Sequence, residues 1–157
     1  MDTKRTIKLL IVEDEADYAR VIALQLRREG YDPECKVVDN AVDMLTELES
    51  PSWDVVICDW KMPRFDALSA LNLVIERGVD IPFVVLSGVI PLREGIDIMR
   101  AGAYDCVMKE DLIKLSVIIE RGVREARMRR NLKKIADDHE QRIKKLEEYV
   151  ISSNKEL

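Results

Sequence analysis

The sequence predicts an α/β protein, a five-stranded doubly wound parallel sheet with an extended C-terminal helix. Two observations predict it. Five apolar runs of strand length each precede a stretch of helical periodicity. Every link between successive strands is then a helical crossover, which makes the strands parallel, the connections right-handed and the helices a cover for both faces.

The first strand spans residues 7–12, apolar except for Lys8, and a helix follows over 16–29 with Ala19, Val21, Ile22, Leu24 and Leu26 on its apolar side. Gly30 sits where a C-terminal cap glycine belongs. A short strand over 35–38 leads to Asn40, whose side chain suits an N-cap. The helix over 41–49 carries Val42, Leu45 and Leu48 at helical spacing and ends at Ser50-Pro51. The third unit is a strand over 55–59 and a helix over 66–77, with Gly78 beyond it. The fourth is a strand over 83–87 and a helix over 93–100 closed by Ala101-Gly102, with Gly95 weakening the start of that helix. The fifth is a strand over 106–108 and a long helix from Asp111.

Composition narrows the class. The chain has 157 residues, 25 Lys+Arg against 30 Asp+Glu, 47% hydrophobic and 35% charged residues, enough for one domain with a core and an appendage. No apolar run approaches the twenty or so residues that span a bilayer, and the N-terminus lacks the features of a signal peptide, so a cytoplasmic chain without a membrane partner is expected. Cys35, Cys58 and Cys106 are an odd count without zinc-type spacing and read as reduced, buried small hydrophobes. Residues 1–120 hold 14 Lys/Arg against 23 Asp/Glu, whereas 121–157 hold 11 against 7. An acidic body argues against a nucleic-acid-binding core and permits carboxylates clustered around a divalent cation.

In such a sheet the ligand site lies at the carboxyl ends of the strands. The first strand ends in Glu13-Asp14, the third in Asp59, the fourth in Ser87 and the fifth in Lys109. Singly, Asp14 reads as a helix cap, Ser87 as a turn residue and Lys109 as a solvated charge. Together they converge on one edge of one sheet. Three carboxylates in one place repel unless a cation joins them, so the site is expected to hold Mg²⁺ through oxygen ligands with a lysine nearby. A nucleophilic carboxylate, a metal, a hydroxyl and a lysine are the assortment that phosphoryl transfer to an aspartate needs. No glycine-rich phosphate loop is present, so the phosphoryl group must come from a partner or a small phosphodonor.

Four segments, Ile11-Val12-Glu13-Asp14-Glu15, Cys58-Asp59-Trp60-Lys61-Met62-Pro63, Leu86-Ser87-Gly88 and Ala101-Gly102-Ala103-Tyr104-Asp105-Cys106-Val107-Met108-Lys109, resemble the receiver domain of two-component response regulators over about residues 6–125. The resemblance implies a flavodoxin-like fold with strand order 2-1-3-4-5. It implies Asp59 as phosphoacceptor, Asp14 and Asp59 as direct Mg²⁺ ligands, Glu13 as a ligand through water and the backbone carbonyl of Lys61 as a further ligand. Ser87 looks like the hydroxyl that turns to the phosphoryl group, and Lys109 like its ion-pair partner. The partner it implies is a sensor histidine kinase or a phosphotransfer protein, and the role it implies for the chain is that of a phosphoacceptor regulatory domain rather than an enzyme. Three positions depart from the family pattern: Cys106 stands where an aromatic residue is usual, Glu110 where proline commonly follows the lysine, and Ala67 where glycine often follows the acidic residue.

Residues 1–125 are accordingly expected to form the receiver domain and 126–157 a helical extension, either a coiled coil or a linker toward an output domain outside this sequence. Leu132, Ala136, His139, Ile143, Leu146 and Val150 follow 4-3-4-3-4 spacing, which suggests a parallel homodimer through the C-terminal helix. An isolated solvated helix is the other reading. The basic stretch over 121–134 reads as a solvated face, and nucleic acid is not an expected partner of this chain. The leading function is a phosphorylation-controlled signalling switch. The alternative is a phosphorylation-independent interaction or dimerisation module of the same fold, and an independent hydrolase is disfavoured because Lys61 stands where such enzymes want a second Asp.

Overall fold

The structure is a computed structural model and describes residues 3–50 and 52–156. In chain order it comprises β1 (Arg5–Val12), α1 (Ala16–Arg28), β2 (Tyr31–Val38), α2 (Ala41–Leu48), β3 (Val55–Asp59), α3 (Ala67–Glu76), β4 (Phe83–Ser87), α4 (Leu92–Ala101), β5 (Asp105–Met108), a 3₁₀ segment (Lys109–Lys114) and α5 (Leu115–Lys155). The strands form one parallel sheet in the order β2-β1-β3-β4-β5, the flavodoxin-like order that the resemblance implied. The chain divides into two compact units, Met1–Arg124 and Glu125–Leu157.

Side chains alternate across the sheet and so build two cores in the first unit. Leu10, Val12, Val56, Cys58, Phe83 and Val85 face Met44, Leu71, Val74 and Ile98 from α2, α3 and α4. Leu9, Ile11, Ile57, Val84 and Val107 face Ile22 and Leu26 of α1 and Leu115, Ile119 and Val123 of α5. Burial on both faces explains why the central strands read as unbroken apolar runs.

The helix starts rest on local hydrogen bonds. The Asn40 side chain accepts from the Asp43 N–H at 2.9 Å, and the Asp66 side chain accepts from the Ser69 N–H at 2.7 Å. Gly30, Gly78 and Gly102 close α1, α3 and α4 with φ of 90°, 66° and 122°, a region that residues bearing a Cβ avoid.

Several expectations are corrected. β2 begins at Tyr31 rather than at residue 35; it is an edge strand, where Pro33 is tolerated because its missing N–H need not serve two neighbours. Cys35 is consequently exposed, Cys106 is half-buried, and only Cys58 is buried as expected. In α1 the buried set is Ala19, Ile22, Ala23 and Leu26, spaced i, i+3, i+4, i+7, while Val21 and Leu24 point outward. In α2, Met44 and Leu48 are buried and Val42 is exposed. The long helix starts at Leu115 rather than Asp111, whose backbone (φ −107°, ψ 34°) is not helical. The expected stop at Ser50-Pro51 involves Pro51, which lies outside the described residues. Among the described residues no helix is long and apolar enough to cross a membrane.

Gly122 supports a close approach of α5 to the residues that lead into β4 and β5. A Cβ there would meet Pro82 Cβ at 2.9 Å and Tyr104 Cε1 at 3.0 Å. Alanine gains helix propensity but overpacks this contact, and overpacking at roughly 1–3 kcal/mol outweighs the roughly 1 kcal/mol gain. Gly122→Ala is therefore expected to lower stability by about 1 kcal/mol in urea denaturation. A variant more stable than the parent would show that the contact relaxes freely.

Candidate functional site

The chain order brings the site together because parallel strands present all their carboxyl ends on one edge. β1 and β3 are neighbours, with Val12 beside Cys58, so Glu13 and Asp14 emerge next to Asp59, the last residue of β3. Asp59 pairs in register with Leu86, and Ser87 with Met108, which sets Ser87 and Lys109 along the same edge. The order reverses direction at β1, and a crevice at such a switch point is where ligands bind in open α/β sheets.

Glu13 and Ser87 are each only 2% exposed and Asp59 only 9%, whereas Asp14 is exposed. Carboxylate oxygens of Glu13, Asp14 and Asp59 lie within 4.8 Å of one another. Lys109 Nζ is 3.3 Å from Asp59 Oδ1 and 3.9 Å from Glu13 Oε2. The Glu13 N–H donates to the Val38 carbonyl at 2.9 Å, and Glu13 Oε1 accepts from the Glu15 N–H at 3.2 Å, so both ends of this residue are fixed. Burial pushes the Glu13 carboxyl up to about 7; the Glu15 N–H opposes the shift, the Asp59 charge adds to it and Lys109 opposes it. Three hard oxygen donors this close fit a divalent cation such as Mg²⁺, which would relieve their mutual repulsion. A cleft of about 790 Å³ opens over Asp59, lined among others by Trp60, Lys61, Ser87 and Lys109.

The five polar residues singled out at strand ends thus gather at one edge. The side chain of Lys61 is exposed at the cleft. Tyr18 belongs to the site although nothing in the sequence singled it out. Its ring lies 4.2 Å from Lys109 Nζ, a cation–π contact that holds the ammonium against the carboxylates. Its hydroxyl is buried without a hydrogen-bond partner among the described residues. Burial, followed by the charges of Glu13 and Asp59, raises that phenol to about 12. The only available signal was an aromatic in the first turn of the helix that leaves the site.

Two departures also acquire a location. Ala67 is fully buried directly after the Asp66 cap. Cys106 lines an open apolar hollow of about 550 Å³ with Ile90, Leu92, Ile96, Met99 and Met108. After Lys109 the chain turns through the 3₁₀ segment, and no cis peptide occurs among the described residues.

An α/β module with a carboxylate cluster and a lysine at its sheet edge is what this fold and site define. The chain matches the response regulator receiver domain over residues 9–120 and belongs to that family. Among curated proteins it is similar to Regulatory protein AtoC of Escherichia coli, 25% identical over 127 residues that make up 80% of this chain and 27% of AtoC. It is also similar to the DNA-binding transcriptional regulator NtrC of Proteus hauseri, 28% identical over 114 residues, 72% of this chain and 24% of that protein. The chain spans about a quarter of the length of these relatives. A solved response regulator receiver domain from Clostridium thermocellum superimposes with a TM-score of 0.67 at 25% identity, covering 78% of this chain and 98% of that one.

Proposed function

We propose that this chain is a phosphorylation-controlled signalling switch whose phosphoacceptor is Asp59, charged by a sensor histidine kinase or phosphotransfer protein in the cytoplasm. The observation that carries this reading is Asp59 at the floor of an open cleft, 3.3 Å from Lys109 and clustered with Glu13 and Asp14. An Asp59 carboxylate oxygen forms the bond to phosphorus as the bond to the donor's leaving atom breaks, giving an acyl phosphate. Asp14, Asp59, the Lys61 carbonyl and, through water, Glu13 would hold Mg²⁺, which would supply charge neutralisation on the transferring oxygens. Lys109 holds one oxygen of the product by an ion pair, and the Ser87 hydroxyl donates to another. Both act at atoms where charge accumulates, the positions where fixed donors contribute most.

Incubation with Mg²⁺ and acetyl phosphate, read by intact mass, tests this reading. One added phosphoryl group is expected with Mg²⁺ and none when Mg²⁺ is chelated before acetyl phosphate is added, and an unchanged mass under both conditions would sink it. Trp60 lies next to the acceptor and reports the metal. Its fluorescence is expected to titrate with Mg²⁺ in the parent, and Asp14→Asn is expected to weaken that titration at least about tenfold through loss of a charged ligand. An unchanged midpoint in the variant would remove Asp14 from the ligand set.

Cys106 favours a second reading. With no aromatic side chain at that position, signal transmission through an aromatic swing is absent, and a phosphorylation-independent interaction module would keep the fold without it. Equal partner binding before and after phosphorylation would select that alternative.

A further inference from the structure

Tyr18 enters the site from the first turn of α1. Its N–H donates to the Glu15 carbonyl at 3.1 Å. Its side chain packs, as does that of Leu112 in the 3₁₀ segment, against the core that holds Ile22, Val107 and Leu115. Helix and core thus fix the ring independently of Lys109. The hydroxyl makes no hydrogen bond among the described residues, so what Tyr18 offers the site is the face of its ring.

That face carries partial negative charge, and Lys109 Nζ stands 4.2 Å from its centre. The ammonium is shared three ways, since it also lies 3.3 Å from Asp59 Oδ1 and 3.9 Å from Glu13 Oε2. Both distances exceed the roughly 2.7–2.9 Å of a tight charge-assisted bond, so it closes on neither carboxylate. A lysine carries its charge on a flexible stem, and without the ring this one would be free to close on Asp59 Oδ1. A tight ion pair there occupies an oxygen that attack on phosphorus or metal binding requires. We propose that Tyr18 is a positioning residue for phosphoryl transfer, its ring holding the Lys109 ammonium beside Asp59 without letting it close on the acceptor, ready for an oxygen of the incoming phosphoryl group. This role rests on Asp59 being the phosphoacceptor.

Packing alone does not account for the contact. A leucine would also cover the edge of the core, but only an aromatic ring presents a negative face to a cation. Tyr18 is half-buried, which leaves part of it open to a protein partner. A small phosphodonor removes any such contact from the measurement.

Phosphorylation of the full chain by acetyl phosphate and Mg²⁺, timed by intact mass, tests the role. Tyr18→Phe keeps the ring and is expected to stay within about twofold of the parent's rate. Tyr18→Leu is expected to be about fivefold slower, the scale of a partly desolvated cation–π contact. Tyr18→pentafluorophenylalanine keeps the ring's shape while the fluorines draw charge from its face, and is expected to be slowed as Tyr18→Leu is. In a Lys109→Ala background, Tyr18→Leu is expected to change the remaining rate by less than about twofold, because the ring then has no ammonium to place. A parent that gains no phosphoryl group overturns the role of Asp59 and this one with it. With an active parent, four results would each overturn the role of Tyr18 alone: Tyr18→Leu at the parent's rate, Tyr18→Phe as slow as Tyr18→Leu, a fluorinated ring as fast as Tyr18→Phe, or an equal slowing by Tyr18→Leu without Lys109.

Discussion

An Asp59→Asn chain gains no phosphoryl group from acetyl phosphate under conditions in which the parent gains one. The amide keeps the shape of the side chain but is no nucleophile, and it removes one carboxylate from the cluster with Glu13 and Asp14. The loss is expected to reach at least about 10⁴-fold, the scale on which deleting a nucleophile acts. The fold should survive. Asp59 lies at the end of β3, where its backbone pairs in register with Leu86, and an asparagine keeps that pairing. Circular dichroism and urea midpoints near those of the parent would confirm that chemistry, and not folding, was lost. A variant that still acquired one phosphoryl group at the parent's rate would move the acceptor elsewhere.

Lys109→Ala separates phosphorylation from its consequence. The ammonium lies 3.3 Å from Asp59 Oδ1 and is held against the Tyr18 ring, immediately after β5. A phosphoryl group on Asp59 gives it a stronger anionic partner, and a charge-assisted bond contributes roughly 1.5–3 kcal/mol. That energy shifts a two-state equilibrium by about tenfold or more. The alanine variant is therefore expected to accept a phosphoryl group, more slowly, while the hydrogen-exchange change that phosphorylation produces in the parent around β4, α4 and β5 is lost. An exchange response equal to the parent's would assign the coupling to another contact, with Ser87 the first to test.

How much of this was legible in the sequence depends on the kind of residue. Glu13, Asp14, Asp59, Ser87 and Lys109 stood out because each is polar at the end of an apolar run, and a parallel sheet carries all such ends to one edge. The strand order itself came from the resemblance; apolar periodicity does not rank strands within a sheet. Tyr18 was missed because its role depends on how the first turn of α1 leans over Lys109, a tertiary fact with no periodic signal. β2 was cut short because Pro33 hid the alternation of Tyr31, Pro33 and Cys35 with Asp32, Glu34 and Lys36, which an edge strand accommodates. Val21 and Leu24 were assigned to the core of α1 on hydrophobicity alone, whereas the 3.6-residue period buries the smaller Ala19 and Ala23.

Borohydride trapping tests the central claim most directly. The chain is phosphorylated with acetyl phosphate and Mg²⁺, reduced with borohydride, digested and mapped by mass spectrometry. Reduction of an aspartyl phosphate releases phosphate and leaves homoserine at the modified position. The account predicts homoserine at residue 59, dependent on Mg²⁺. Homoserine at Asp14 or another carboxylate, or none at residue 59 in a sample whose intact mass shows the added phosphoryl group, would contradict it.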